Sequence, residues 1–266
     1  MSERSTADGK TTYLEAGRGR PVVLVHGFPL SKAMWQPQVD ALASVARVLV
    51  PDLPGFGGSR GFDGPPTVEA MADRVAEFLT AVGVREPAVV GGLSMGGYVT
   101  LAFARRHSGR LAGLILADTK AEADDETGKA NRDKMIVLAR ESGPGAVVDQ
   151  MMPKLVGAGT MAREPQVAER LRAIALEQSG AALADALLAM RNRPDSGPGL
   201  AAIGVPTLVV VGAEDTLTPP EKAEYLARAI PGAKLVVIPG AGHVANLEAP
   251  QAFNAAVVDF LAKCVR

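Results

Sequence analysis

Short apolar runs bounded by glycine and proline alternate with helix-length amphipathic segments along most of the chain. This is the arrangement of strands and crossover helices in a mostly parallel sheet. The pattern predicts strands over Thr11 to Glu15, Val22 to His26, Arg47 to Val50, Ala88 to Gly91, Leu111 to Ala117, Thr207 to Gly212 and Leu235 to Ile238. Most are rich in Val, Ile and Leu without polar alternation, so helices are expected on both faces of the sheet. Those helices are predicted over Val68 to Val82, Gly96 to His107, Pro220 to Ala229 and Gln251 to Lys263. Thr67 is a partial start signal for the first, because Ala70 stands where a capping box would have Glu or Gln. The last two follow a proline, which suits a helix start because its missing N–H costs nothing there.

Between Asp118 and Pro206 the alternation stops for far longer than a plain loop allows, which predicts a folded insertion. Leu171, Ile174 and Gln178, then Leu183, Leu187 and Met190, recur at helical spacing, and Lys134 to Arg140 also reads as helix. We therefore expect a helical cap over residues 119–199, above the carboxyl ends of the strands, on a core formed by residues 1–118 and 200–266. Asp195-Ser196-Gly197-Pro198-Gly199 is the expected hinge back to the sheet.

Composition narrows the functional classes. A chain of 266 residues with 47% hydrophobic content fills one large α/β core. Its 28 basic and 29 acidic residues are mixed along the chain and leave a net charge of -1, which offers no footprint for nucleic acid or an anionic membrane. A small neutral molecule is the default partner, for a monomer or small homo-oligomer. The polar N-terminus and the lack of any run near the ~20 apolar residues of a bilayer span point to the cytoplasm. The single cysteine, Cys264, forms no internal disulfide, and no Cys/His spacing suggests a metal or cofactor.

The chemistry centres on Gly92-Leu93-Ser94-Met95-Gly96-Gly97, placed between a strand and a helix. A serine on so sharp an elbow is held in strained backbone, and small neighbours keep side chains from colliding. A serine hydroxyl needs a base, and the base needs an orienting group. Of three histidines, His26 lies in a strand-exit loop and His107 ends a helix, where it complements the dipole. His243, in Gly240-Ala241-Gly242-His243, is left as the base. Asp215 is the expected orienter, giving the chain order Ser, Asp, His with all members just past strand ends. Asp118, also at a strand end, is the spare acid, and Glu214 is the less suited neighbour. The amides of Met95, at a helix N-terminus, and of Phe28, after the sharp exit at His26-Gly27, are the expected oxyanion donors. Trp35, Met151, Met152, Leu155, Met190 and Val244 are candidates for an apolar substrate pocket.

In His26-Gly27-Phe28-Pro29, Asp52-Leu53-Pro54-Gly55-Phe56-Gly57-Gly58-Ser59, the serine elbow, Gly212-Ala213-Glu214-Asp215 and Gly242-His243, the chain resembles serine hydrolases of the α/β-hydrolase superfamily over nearly its whole length. The resemblance implies the α/β-hydrolase fold, a mostly parallel sheet flanked by helices with a helical cap inserted after strand 6 of that fold. It also places the Asp52 to Ser59 loop at the entrance to the site. The pattern is similar to carboxylesterases, 3-oxoadipate enol-lactonases and cofactor-free perhydrolases. Serine, not aspartate, at the elbow separates it from haloalkane dehalogenases and epoxide hydrolases. Leu93 stands where ring-fission C–C hydrolases typically have asparagine. The expected activity is hydrolysis of small or aliphatic esters, with lactone hydrolysis, C–C cleavage or perhydrolysis as alternatives. A non-enzymatic small-molecule receptor on the same fold is the reading from another class.

Overall fold

The computed structural model describes residues 2–264. Eight strands form one sheet: β1 (Ser2–Ser5), β2 (Thr12–Ala16), β3 (Pro21–Val25), β4 (Arg47–Pro51), β5 (Ala88–Leu93), β6 (Leu111–Ala117), β7 (Thr207–Gly212) and β8 (Lys234–Ile238). Their order is β1-β2-β4-β3-β5-β6-β7-β8. The β1–β2 and β2–β4 pairs are antiparallel, and all others are parallel. Every residue of β3, β5 and β7 is buried, as expected of strands covered on both faces. Alternate residues feed two cores: Val23 and Val25 point to one, Val22 and Leu24 to the other.

The first core is closed by α2 (Val68–Ala81), α3 (Met95–Arg106) and α8 (Pro220–Ala229), the second by α1 (Gln36–Leu42) and α9 (Pro250–Cys264). Thr67 caps α2 by accepting the Ala70 amide at 3.0 Å, without a glutamate to complete a box. Strand β1 and helix α1 escape the sequence pattern. The first reads Ser-Glu-Arg-Ser with no apolar signal, and the second is too short to establish a periodicity.

Four helices fill the segment between β6 and β7: α4 (Glu126–Leu155), α5 (Ala158–Arg163), α6 (Pro165–Leu176) and α7 (Gly180–Arg191). Helix α4 is broken at Gly143, whose φ of 74° and ψ of -172° are non-helical, just before Pro144. Leu171 and Ile174 face the second core, while Leu183, Leu187 and Met190 face the first. Gln178, read as part of the periodic face, lies beyond the end of α6. It is buried and bridges two segments, its Nε2 donating to the Ile174 carbonyl at 2.8 Å and its Oε1 accepting the Gly57 amide at 2.9 Å. The Asp52 to Ser59 loop is thereby tied to the inserted helices. No single helix among the described residues is long and apolar enough to cross a membrane.

Candidate active site

Strand β5 delivers Ser94 to the carboxyl end of the central strands, where it takes φ 54° and ψ -113° before α3 begins at Met95. Non-glycine residues rarely occupy such backbone, and it persists only where the surroundings enforce it. Here packing does so. A Cβ on Gly92 would fall 2.1 Å from the Gly96 carbonyl oxygen, and one on Gly96 would fall 2.2 Å from that of Val25. The Ser94 amide donates to the Ala117 carbonyl at 2.9 Å, and the Thr119 hydroxyl donates to the Ser94 carbonyl at 2.9 Å. The residue stays half-buried.

His243 arrives from the loop after β8, with Nε2 2.8 Å from Ser94 Oγ and Nδ1 2.8 Å from Asp215 Oδ2. Asp215 follows β7 and is locked by its own turn: Oδ1 accepts the amides of Leu217 and Thr218 at 2.8 and 3.0 Å, and Oδ2 accepts the Thr218 hydroxyl at 2.6 Å. A carboxylate on one methylene reaches its own backbone two and three residues on, which favours Asp over Glu here. Glu214 is exposed and turns to the Gly159 amide instead. Burial alone would raise the Asp215 carboxyl, but the bonds from His243 and Thr218 and the His243 charge outweigh it and lower the pKa. The ionised Asp215 accepts from Nδ1–H, so Nε2 carries the lone pair that faces Ser94. Thr218 was not singled out from the sequence, although its position three residues after Asp215 is the spacing of a side-chain turn.

The loop after β3 passes beside the serine, and a Cβ on Gly27 would lie 3.6 Å from Ser94 Cβ. Phe28 and Met95 are both buried, and neither backbone amide has a hydrogen-bond acceptor among the described residues. Buried amides are almost always paired, so two unpaired ones flanking one hydroxyl stand out. His26 braces the loop from behind: its Nε2 accepts the Leu53 amide at 3.0 Å and its Nδ1 donates to the Gly27 carbonyl at 3.0 Å. Burial lowers the His26 pKa, in keeping with a neutral ring. Asp52, at the base of the neighbouring loop, is held by Lys32 Nζ at 2.5 Å and by the Thr12 hydroxyl at 2.7 Å.

Asp118 is fully buried and, like Ser94, leaves its strand with positive φ, at 43°. Its Oδ1 accepts the Gly212 amide at 2.8 Å while Oδ2 lacks a partner, and no hydrogen bond joins it to His243 among the described residues. Burial, together with the nearby Asp215 charge, raises its pKa well above the ordinary carboxylate value. A raised folded pKa means that the stability owed to the protonated form is complete below the unfolded pKa and is lost as pH rises through the folded one. Asp118→Asn, neutral at every pH, is therefore expected to gain stability relative to the parent as pH rises from 4 towards 8. Urea unfolding across that range checks it, and a parallel pair of stability curves would show that Asp118 is ionised throughout.

The residues expected to line a pocket divide. Trp35 is not an open wall: it is fully buried against Phe253, with ring centroids 5.9 Å apart. Met190 packs in the first core, and Leu155 and Val244 in the second, so all three are buried packing positions. Met151 and Met152 are half-buried, and Met151 lines a cleft of about 430 Å³ that reaches Leu217 on the acid loop. Glu248, overlooked in the sequence, is a buried carboxylate. Its oxygens accept the Gly157 amide at 2.9 Å and the Val244 amide at 3.2 Å, joining the inserted helices to the His243 loop. His107 bonds Asp73 at 2.8 Å at the opposite end of α3 from Ser94.

A family profile for the alpha/beta hydrolase fold matches residues 20–250. Among solved structures, a thermophilic esterase from Thermogutta terrifontis is 42% identical with a TM-score of 0.94, over 100% of this chain and 99% of that one. The enol-lactonase from Burkholderia xenovorans LB400 is 31% identical with a TM-score of 0.89, over 98% of this chain and 100% of that one. Among curated relatives, the pimeloyl-[acyl-carrier protein] methyl ester esterase of Neisseria meningitidis serogroup C is 30% identical, covering 91% of this chain and 93% of that protein. With its eight-stranded, mostly parallel sheet and its serine at the β5–α3 elbow, the chain belongs to the α/β-hydrolase family.

Proposed function

We propose that this protein is a serine esterase that hydrolyses small or aliphatic carboxylic esters through an acyl-enzyme on Ser94. The observation that carries this reading is the continuous line from Ser94 Oγ through His243 to Asp215, at 2.8 Å on each side of the ring, beside two unpaired amides. In the acylation step His243 Nε2 takes the Ser94 proton as Oγ attacks the ester carbonyl carbon. The carbonyl oxygen becomes an oxyanion held by the Phe28 and Met95 amides, with the N-terminus of α3 adding its dipole. His243 then returns the proton to the departing alkoxide, and the alcohol leaves. Water, deprotonated by the same ring, attacks the acyl-enzyme, and collapse of the second oxyanion releases the acid and restores Ser94. Asp215 stays ionised throughout and supports the imidazolium in each half-reaction.

In this reading residues 119–199 act as a cap over a core of 1–118 and 200–266, and the cap shapes substrate choice. A lactone is the second substrate class. The same attack opens a cyclic ester, and the enol-lactonase at 31% identity favours it. The test combines labelling with turnover. A fluorophosphonate is expected to add one mass equivalent to Ser94, and p-nitrophenyl esters are expected to turn over many times. Labelling without repeated turnover would point to a receptor, and neither result would indicate an inert fold.

A further inference from the structure

The net charge of -1 averages over the whole surface and conceals a local excess of positive charge beside the acid loop. The break at Gly143 bends α4, and the cleft of about 430 Å³ lies between its two halves. Arg132 and Met135 line it from the first half at a spacing of three, and Met151 and Lys154 line it from the second at the same spacing. Each pair therefore presents one helix face to the opening. Its apolar lining is Met135, Met151, Leu187 and Leu217, and the Leu217 amide is bonded to Asp215 Oδ1 at 2.8 Å.

The charged lining is one-sided. Arg132, Lys134 and Lys154 border the cleft, opposed by the single carboxylate of Asp124. Asp124 is more than neutralised already. Arg193 Nη2 bonds it at 2.8 Å, Arg132 Nε at 3.0 Å, and Lys120 Nζ stands 3.7 Å away. Burial alone would raise its pKa, yet the bond from Arg193 and the charges of Arg132 and Arg193 hold it at about 2. Arg193 also lies 4.1 Å over the ring of Tyr98. Lys134 and Lys154 are exposed and have no anionic partner among the described residues.

We infer that the ester cleaved at Ser94 carries a carboxylate at the far end of a short aliphatic chain, the chain lying on Met151 and Leu217 and the carboxylate facing Lys134 and Lys154. The inference rests on the esterase reading and narrows its substrate to half-esters of dicarboxylic acids. The apolar lining fits the methylenes, and the unpaired ammonium groups supply a charge that a neutral ester would leave unused. Cationic walls around a cleft also concentrate anions at its mouth, an effect that salt removes.

The experiment compares monomethyl glutarate with the methyl ester of its terminal amide, which has the same length and no charge. At neutral pH and low ionic strength, kcat/KM is expected to favour the anion by about tenfold or more. High salt should shrink that ratio, as should the Lys134→Glu/Lys154→Glu double variant. The amide ester serves as the internal control for folding and for Ser94 chemistry, so the ratio isolates charge. A ratio near one in the parent protein, or one unmoved by the double variant, overturns the inference while leaving the esterase reading intact. If neither ester is cleaved, calorimetric binding of monomethyl glutarate to Ser94→Ala still decides it. Salt-sensitive binding that the amide ester lacks upholds the anion site, and equal binding of the two overturns it. Failure of the esterase reading is seen separately, as absent p-nitrophenyl ester turnover.

Discussion

Ser94→Ala is expected to lower kcat on a p-nitrophenyl ester by a factor on the order of 10⁴ to 10⁶, the loss found when the nucleophile of a serine hydrolase is removed. Nothing else in the described site presents a nucleophile to the same point: His243 Nε2 faces Ser94 Oγ at 2.8 Å, and Thr218 is committed to Asp215 at 2.6 Å. The two amides remain and sustain only a weak background. Folding should survive, because the hydroxyl makes one side-chain bond and the elbow is set by the backbone bonds of Ser94 and by Gly92 and Gly96. We expect a stability change below about 1 kcal/mol. Steady-state kinetics beside thermal melting checks both parts. Residual kcat within tenfold of the parent would remove Ser94 from the reaction.

Asp215→Asn should cost about 10⁴ in kcat, through the tautomer of His243 more than through lost charge. The amides of Leu217 and Thr218 both donate to Oδ1, so the Asn oxygen is pinned on that side and its NH2 group is turned towards His243 Nδ1. A donor there makes Nδ1 an acceptor and moves the ring proton to Nε2, where it can no longer receive the proton of Ser94. The same substitution leaves the Thr218 hydroxyl without its acceptor at 2.6 Å, which adds a cost in stability. Rates across pH, with melting as a control, separate the two effects. If Asp215→Asn kept activity within tenfold, Asp118 would be the next acid to test, because it ends the neighbouring strand β6.

The elbow, the strand ends and the two flanking layers were legible because each is written in consecutive residues. Apolar runs such as Ala88 to Gly91 can only be interior strands, and Gly92 and Gly96 are demanded by contacts within the β3–β5–α3 unit. Strand β1 was invisible, since the polar run Ser2–Ser5 is recruited to the sheet edge by pairing with β2. The pocket was the least readable part. Met151, Leu155 and Met190 carry the same kind of signal, yet burial sends Leu155 and Met190 into different cores and leaves Met151 beside a cleft.

By itself, the sequence determined the class of fold and named the candidate residues for acyl transfer, because hydrophobic period and glycine positions are local properties and the order of Ser, Asp and His is read directly along the chain. Only the tertiary structure decided that Asp215, and not Asp118, bonds His243, that the amides of Phe28 and Met95 have no acceptor among the described residues, and that a cationic cleft lies between the two halves of α4. Each depends on which faces of segments distant in the chain come together, and side-chain spacing along one segment carries no record of what lies opposite.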